Sequence, residues 1–205
     1  MSIRFARKAD CAAIAEIYNH AVLYTAAIWN DQTVDAVAAD LPAIRDIYND
    51  AVLNTLAIWN EQTVDLANRQ QWFDARQAQG YPILVIVDEA NIALGYASFG
   101  DWRPFEGFRH TVEHSVYIHP EQRGKKLGPQ LLAELIKRAR ACGKHVMVAA
   151  IEGGNAASIH VHKQLGFVTS GRMPQVGIKF GRWLDLTFMQ LMLNPGALPP
   201  KEPGQ

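Results

Sequence analysis

Ser115-Val116-Tyr117-Ile118-His119-Pro120-Glu121-Gln122-Arg123-Gly124-Lys125-Lys126-Leu127-Gly128 decides how this chain is read. Its first residues close an alternating run that starts at Thr111. Thr111, Glu113, Ser115 and Tyr117 share one face, and Val112, His114, Val116 and Ile118 the other, which is the period of a β-strand. From Leu127 to Cys142 the period changes to that of an amphipathic helix. Leu131, Leu132, Leu135, Ile136 and Ala139 lie on one side, the lysines and arginines lie on the other, and Gly143 marks the stop. A strand that enters a helix through a glycine-bearing turn aims backbone N–H groups and the positive helix end at an anion, for which a pyrophosphate is a natural guest. A plain strand-to-helix connection carries the same local signature.

On the N-terminal side, Ile92 to Phe99 and Ile83 to Val87 are apolar runs rich in β-branched residues, joined by Asp88-Glu89-Ala90-Asn91, and they predict two paired strands. Asn68 to Gln79 predicts a helix with Trp72, Phe73 and Ala75 as its bulk and Gly80 just past its end. On the C-terminal side the spacing predicts a strand over His145 to Ile151, a helix over Asn155 to Gln164, and strands over Phe167 to Met173 and Trp183 to Leu193. With a further strand at Ile3 to Ala6, this is an α/β (α+β) domain whose mixed sheet has about six to seven strands. It is expected to run as a single domain over residues 1–193, with a loose tail over 194–205, where four prolines and two glycines in twelve residues sustain neither period.

The N-terminal region carries an internal duplication. Residues 9–35 align without gaps on 39–65, with 19 of 27 positions identical. Two units are too few for a solenoid, so a duplicated helix-loop unit is the simpler account. Each copy predicts a helix opened by an aspartate, Asp10 or Asp40, followed by a loop through Trp-Asn-x-Gln-Thr-Val-Asp.

Composition narrows the function classes. Twenty basic residues balance twenty acidic ones, so no long-range field selects a phosphate backbone or an anionic membrane, and no nucleic-acid partner is expected. No run reaches the ~18 apolar residues of a membrane span, and no leader pattern opens the chain. A cytoplasmic protein with no membrane partner is expected. Cys11 and Cys142 are too few for a disulfide framework and read as reduced thiols.

Together with Asn155-Ala156-Ala157-Ser158-Ile159-His160-Val161-His162-Lys163-Gln164-Leu165-Gly166-Phe167, the opening stretch resembles the acetyl-CoA motifs of the GNAT acetyltransferases. The family pattern Gln/Arg-x-x-Gly-x-Gly/Ala falls on Arg123, Lys126 and Gly128, so Lys126 stands where the family has its first glycine. The runs Gly95 to Phe105, Thr111 to Tyr117, Met173 to Gly177 and Phe180 to Asp185 look like the branch that acetylates phosphinothricin and methionine sulfoximine. That branch has a single helix-loop unit, so about thirty residues are surplus here.

The resemblance implies an N-acetyltransferase with acetyl-CoA as cosubstrate, no metal, a small-molecule amine acceptor and a homodimer. It implies acetyl-CoA contacts at Val116, Tyr117, Ile118, Arg123, Gly124, Lys125, Lys126, Leu127, Gly128 and Asn155. Glu113 is the candidate general base, on the strand that would flank both ligands, with a solvated strand carboxylate as the alternative. His114 faces the other way and is read as structural. Many family members carry an acidic tyrosine seven residues after the asparagine, and His162 stands there. It is the candidate acid, with water as the alternative donor. The acceptor is expected against Trp102 to Arg109, with Glu106, Gly107 and Phe108 offering backbone groups. Arg103 or Arg109 would pair with an amino acid's carboxylate. Because the second copy runs directly into the helix at Asn68, Trp59 rather than Trp29 is expected to line the acceptor pocket. The opposite register would use Trp29. Acetylation of another amine, an aminoglycoside or a protein amine, and a non-catalytic acyl-CoA-binding module are the competing functions.

Overall fold

The computed structural model describes residues 32–199, nearly all of them in a compact unit that begins at Thr33. The strand expected at Ile3 to Ala6 and the helix of the first copy lie outside the described residues. The elements run β1 (Gln32–Asp35), α1 (Leu41–Asn54), α2 (Leu66–Ala78), β2 (Ile83–Val87), β3 (Ala93–Asp101), β4 (Thr111–Ile118), α3 (Leu127–Ala141), β5 (Val146–Glu152), α4 (Ala156–Gln164), β6 (Val168–Lys179) and β7 (Arg182–Met192). They build a seven-stranded sheet in the order β1-β2-β3-β4-β5-β7-β6.

The sheet is buried on both faces in its centre, and β2 shows why its apolar run is unbroken. Ile83, Val85 and Val87 pack beneath α1 and α2 with Ile44, Ile47 and Phe73. Leu84 and Ile86 face the opposite way, into a core built on Leu131, Leu132 and Leu135 of α3. Each of these side chains is removed from water on an alternating side, a gain of about 1.5–3 kcal/mol apiece.

One expectation is corrected. Gln32-Thr33-Val34-Asp35, read as loop, forms β1, and the chain leaves it with the Ala36 amide bonded to the Ile83 carbonyl at 2.8 Å. The identical Gln62-Thr63-Val64-Asp65 is irregular, and there Asp65 caps α2 by accepting a hydrogen bond from the Asn68 amide at 2.8 Å. Four residues are too short to fix their own state, and the sheet edge offered to the first copy decides it. The strand at Phe167 to Met173 also proves longer, reaching Lys179 through two bulges, at Thr169/Gly171 and Met173/Gly177. A bulged strand breaks the two-residue period on which the sequence reading relied.

Two adjoining strands set up the site. β4 pairs with β3 along its whole length, whereas its parallel pairing with β5 covers only Thr111 to Glu113 against Val146 to Val148. Beyond that point β5 is held by β7 as far as Glu152. The sheet therefore splits between Ser115–Ile118 and Ala149–Glu152.

Candidate active site

The split opens into a cleft of about 760 Å³ lined from five directions. β4 contributes His114 to Ile118, the turn and first residues of α3 contribute Gln122 to Pro129, and β5 contributes Ala149 to Glu152. α4 contributes Asn155, Ser158 and His162, while Ala51, Thr55, Leu56 and Ala57 close the side beneath α1.

Backbone alternation determines which amides are available. The Trp102 amide donates to the Thr111 carbonyl and the His119 amide to the Leu94 carbonyl, so the odd residues of β4 turn their polar groups to β3. Val116 and Ile118 are thereby left with theirs directed into the split. Tyr117 presents its ring to the opposite face, 5.4 Å from Tyr96 and 6.5 Å from Tyr48. The Ile118 carbonyl accepts from Arg123 Nε at 3.3 Å, which folds that side chain back along the cleft.

The turn before α3 has a backbone that could hold an anion. Gly124 has φ +83° and Lys126 φ +62°, both left-handed, and this directs the first amides of α3 outward. Pro129 falls in the first turn of the helix, where its missing N–H removes no bond. Lys126 takes a conformation that glycine adopts freely and that costs another residue about 1–2 kcal/mol. Lys126→Gly is therefore expected to stabilise the fold by about 1 kcal/mol in urea melts.

Asp50 of α1 pairs with the Arg123 guanidinium, a contact that sequence reasoning missed. Burial opposes ionisation of Asp50, but hydrogen bonds from Asn54 and Arg123 outweigh it and hold the carboxyl below its usual range. The aligned residue of the first copy is His20, which offers no carboxylate. That difference between the copies was the signal available in the sequence.

Glu113 is half-buried on the α1/α2 face, opposite Gly100 of β3. Burial raises its pKa above the ordinary carboxylate value, and the positive charge of Arg103 partly offsets the rise. A carboxylate moved towards neutrality is a better proton acceptor. Activity that needs the ionised form must fall as pH drops through this raised pKa. Arg103→Ala removes the opposing charge, so the acidic limb of the kcat/KM profile is expected to move to higher pH.

His114 points to the other face, where it stacks on His162 with ring centroids 5.0 Å apart. His162 Nδ1 lies 2.7 Å from the Ser158 carbonyl, an acceptor, so this nitrogen carries the proton. His162 Nε2 then accepts from His114 Nε2 at 3.0 Å, and His114 Nδ1 is left buried without a partner. Burial and the neighbouring His162 push His114 down to about 3, and burial also lowers His162. Both rings are held neutral.

The structure brings Val116, Tyr117, Ile118, Arg123, Gly124, Lys126, Leu127, Gly128, Asn155 and His162 to one cleft. Asn155 also caps α4 by accepting from the Ser158 amide at 3.0 Å, whereas Lys125, engaged by Gln122, and Glu113 are not among the lining residues. The remaining candidates do not line it. Arg103 is exposed and lies over Trp102 at 5.0 Å. Glu106, Gly107 and Phe108 form a 3-10 turn, where the Phe108 ring meets Trp102 edge-on at 5.1 Å. Arg109 Nη1 donates to the Glu106 carbonyl at 3.1 Å. Trp59 donates through Nε1 to the Leu56 carbonyl at 2.9 Å, bracing the turn whose residues do line the cleft. Among the described residues no cluster of three or more His, Cys, Asp or Glu side chains is placed to hold a metal, and no helix is long and apolar enough to cross a membrane.

Residues 41–167 match the model of the acetyltransferase (GNAT) family. The chain belongs to that family. It is 72% identical over 194 residues, 95% of each chain, to the L-methionine sulfoximine/L-methionine sulfone acetyltransferase of Pseudomonas aeruginosa. It is 60% identical to the L-amino acid N-acyltransferase MnaT of Escherichia coli over 97% of this chain and 98% of that one. Among solved structures, the acetyltransferase yncA of Salmonella typhimurium, determined with acetyl-CoA, shares 61% identity and a TM-score of 0.81, over 83% of this chain and 98% of its own. Relatives of this chain have been solved with acetyl-CoA, and the split sheet offers a cleft of a size and lining to take such a ligand. Its free amides at Val116 and Ile118, the turn from Arg123 to Gly128 and the N-terminus of α3 suit a pantetheine arm that ends in a pyrophosphate.

Proposed function

We propose that this enzyme acetylates the α-amino group of a small amino-acid analogue, with L-methionine sulfoximine, methionine sulfone and phosphinothricin as its acceptors. The observation that carries the proposal is the position of Glu113. This partly desolvated carboxylate stands on the α1/α2 face of β4, the strand whose Val116 and Ile118 direct their amides into the cleft, and that face is read as the acceptor side. The 72% identity to a methionine sulfoximine/sulfone acetyltransferase supports the choice of acceptor.

Acetyl-CoA, when bound, supplies an acetyl thioester. In this reading the Val116 and Ile118 amides present fixed dipoles where negative charge develops on its carbonyl oxygen, and Arg123 to Gly128 hold the pyrophosphate. Glu113 accepts the ammonium proton, directly or through water, and so frees the nucleophilic lone pair. His162 borders the cleft as a proton source for the departing thiolate. With Nδ1 held by Ser158, it delivers a proton only as the imidazolium, and its lowered pKa keeps that form scarce at neutral pH, where water carries the step. Arg103 or Arg109 serves the acceptor's carboxylate, and the Glu106–Phe108 turn and Trp59 belong to the acceptor side in the same reading.

The reading includes a homodimer. Val176, Ile178, Phe180 and Trp183 are large apolar side chains left exposed on the β6–β7 hairpin, Trp183 at 66%, and such a patch fits a protein interface. Trp183→Glu is expected to halve the mass measured by light scattering. A cytoplasmic location belongs to the same reading, and the free, exposed Cys142 thiol fits a reducing compartment.

The direct test is mass spectrometry of methionine sulfoximine incubated with enzyme and acetyl-CoA. One acetyl group on the α-nitrogen is expected, and an unmodified amine at full enzyme loading contradicts the proposal.

A further inference from the structure

The ammonium of Lys179, at the end of β6, is buried, and the residue is only 2% exposed. It donates to three backbone carbonyls, those of Val52, Thr55 at 2.9 Å, and Ile58. An ammonium has three donors, and all three are used. Val52 lies in the last turn of α1, whose final carbonyls have no helical partner. A cation there satisfies them and opposes the negative end of the helix. Thr55 and Ile58 continue the chain into the turn that presents Thr55, Leu56 and Ala57 to the cleft and leads to Trp59. The same β6 segment meets Trp59 a second time. A Cβ on Gly177 would stand 2.2 Å from the Trp59 ring, so the indole lies directly on the strand backbone. One short length of β6 thus grips the turn at two points, by a charge and by a ring.

We infer that Lys179 is a positioning residue for the acceptor side, fixing the Thr55-to-Trp59 turn against β6 so that its residues stand at the height the acceptor requires. The inference rests on the acetyltransferase reading above for the identity of the acceptor, while the grip itself is a property of the fold. Its action on the acceptor is part of the inference: the residues Lys179 holds close the α1 side of the cleft, and none belongs to the Arg123–Gly128 turn or to α4.

The test compares wild type with Lys179→Met, which keeps much of the stem and removes the charge. Gly177→Ala serves as a second perturbation, because its methyl would displace the Trp59 ring. Steady-state kinetics with methionine sulfoximine should show the acceptor KM raised about tenfold or more in each variant, with kcat within about threefold and the acetyl-CoA dissociation constant unchanged by calorimetry. Amide hydrogen exchange reads the turn without any turnover, and in Lys179→Met it should be faster across residues 52–60 and unaltered across 122–128. A folded Lys179→Met with wild-type exchange over 52–60 overturns the inference. So does loss of acceptor and acetyl-CoA affinity in equal measure, the mark of a general structural role. If Lys179→Met does not fold, Gly177→Ala decides by the same criteria. A wild type inactive on every amino-acid analogue contradicts the proposed acceptor and leaves the exchange result to judge the inference.

Discussion

Glu113→Gln is expected to lower kcat by about 10²–10⁴-fold, the usual worth of a positioned general base. The change keeps the size and one hydrogen-bonding oxygen of the side chain, so β4 and its pairing with Gly100 should survive. Acetyl-CoA affinity should also stay at the wild-type value, because Glu113 itself does not line the cleft, which β4 borders only from His114 to Ile118. A second signature separates loss of the base from a packing defect. The acidic limb set by the raised Glu113 pKa should disappear from the residual activity of the variant. Steady-state rates from pH 5 to 9 check both. A drop of less than about tenfold would move the proton to another acceptor.

Trp59→Ala carries the second large effect. Its indole braces Leu56 and lies on Gly177, so its removal releases the turn beside the cleft. A displacement of about an ångström in a positioning element costs about 10²-fold in rate, and a loss of about 10- to 100-fold in kcat/KM for the acceptor is expected. The same substitution at Trp29 should leave the kinetics unchanged. The second copy supplies α1, and its Asp50 reaches Arg123 where the first copy has His20. Measuring the two variants side by side distinguishes the copies, and equal losses would contradict this assignment.

Much of the fold was legible because it rests on strong periods. The leucines of α3 and the alternation of β4 name their own faces, and the β2 and β4 boundaries agree with the residues to the position. The split between β4 and β5 was not read from the sequence, since no local pattern records where two parallel strands part. Gln32–Asp35 shows the limit of local reading, because the same four letters make a strand at one position and a capping loop at another. His114 and His162 were placed on their elements, but their hydrogen bond spans 48 positions and no spacing rule reaches that far. Lys179 was hidden for a different reason. In sequence it is an ordinary basic residue before a hairpin, and only the three carbonyls around it reveal a buried cation.

The proposed reaction is a direct, Glu113-dependent transfer of acetyl to an amino-acid analogue. A thiol-release assay with acetyl-CoA and five acceptors tests it most directly: methionine sulfoximine, methionine sulfone, phosphinothricin, an aminoglycoside and a lysine peptide, each with a Glu113→Gln control. Turnover on the three amino-acid analogues, abolished or strongly reduced in the control, is the predicted result. Turnover on the aminoglycoside or the peptide alone, or acetyl-CoA binding with no thiol released on any acceptor, would contradict it.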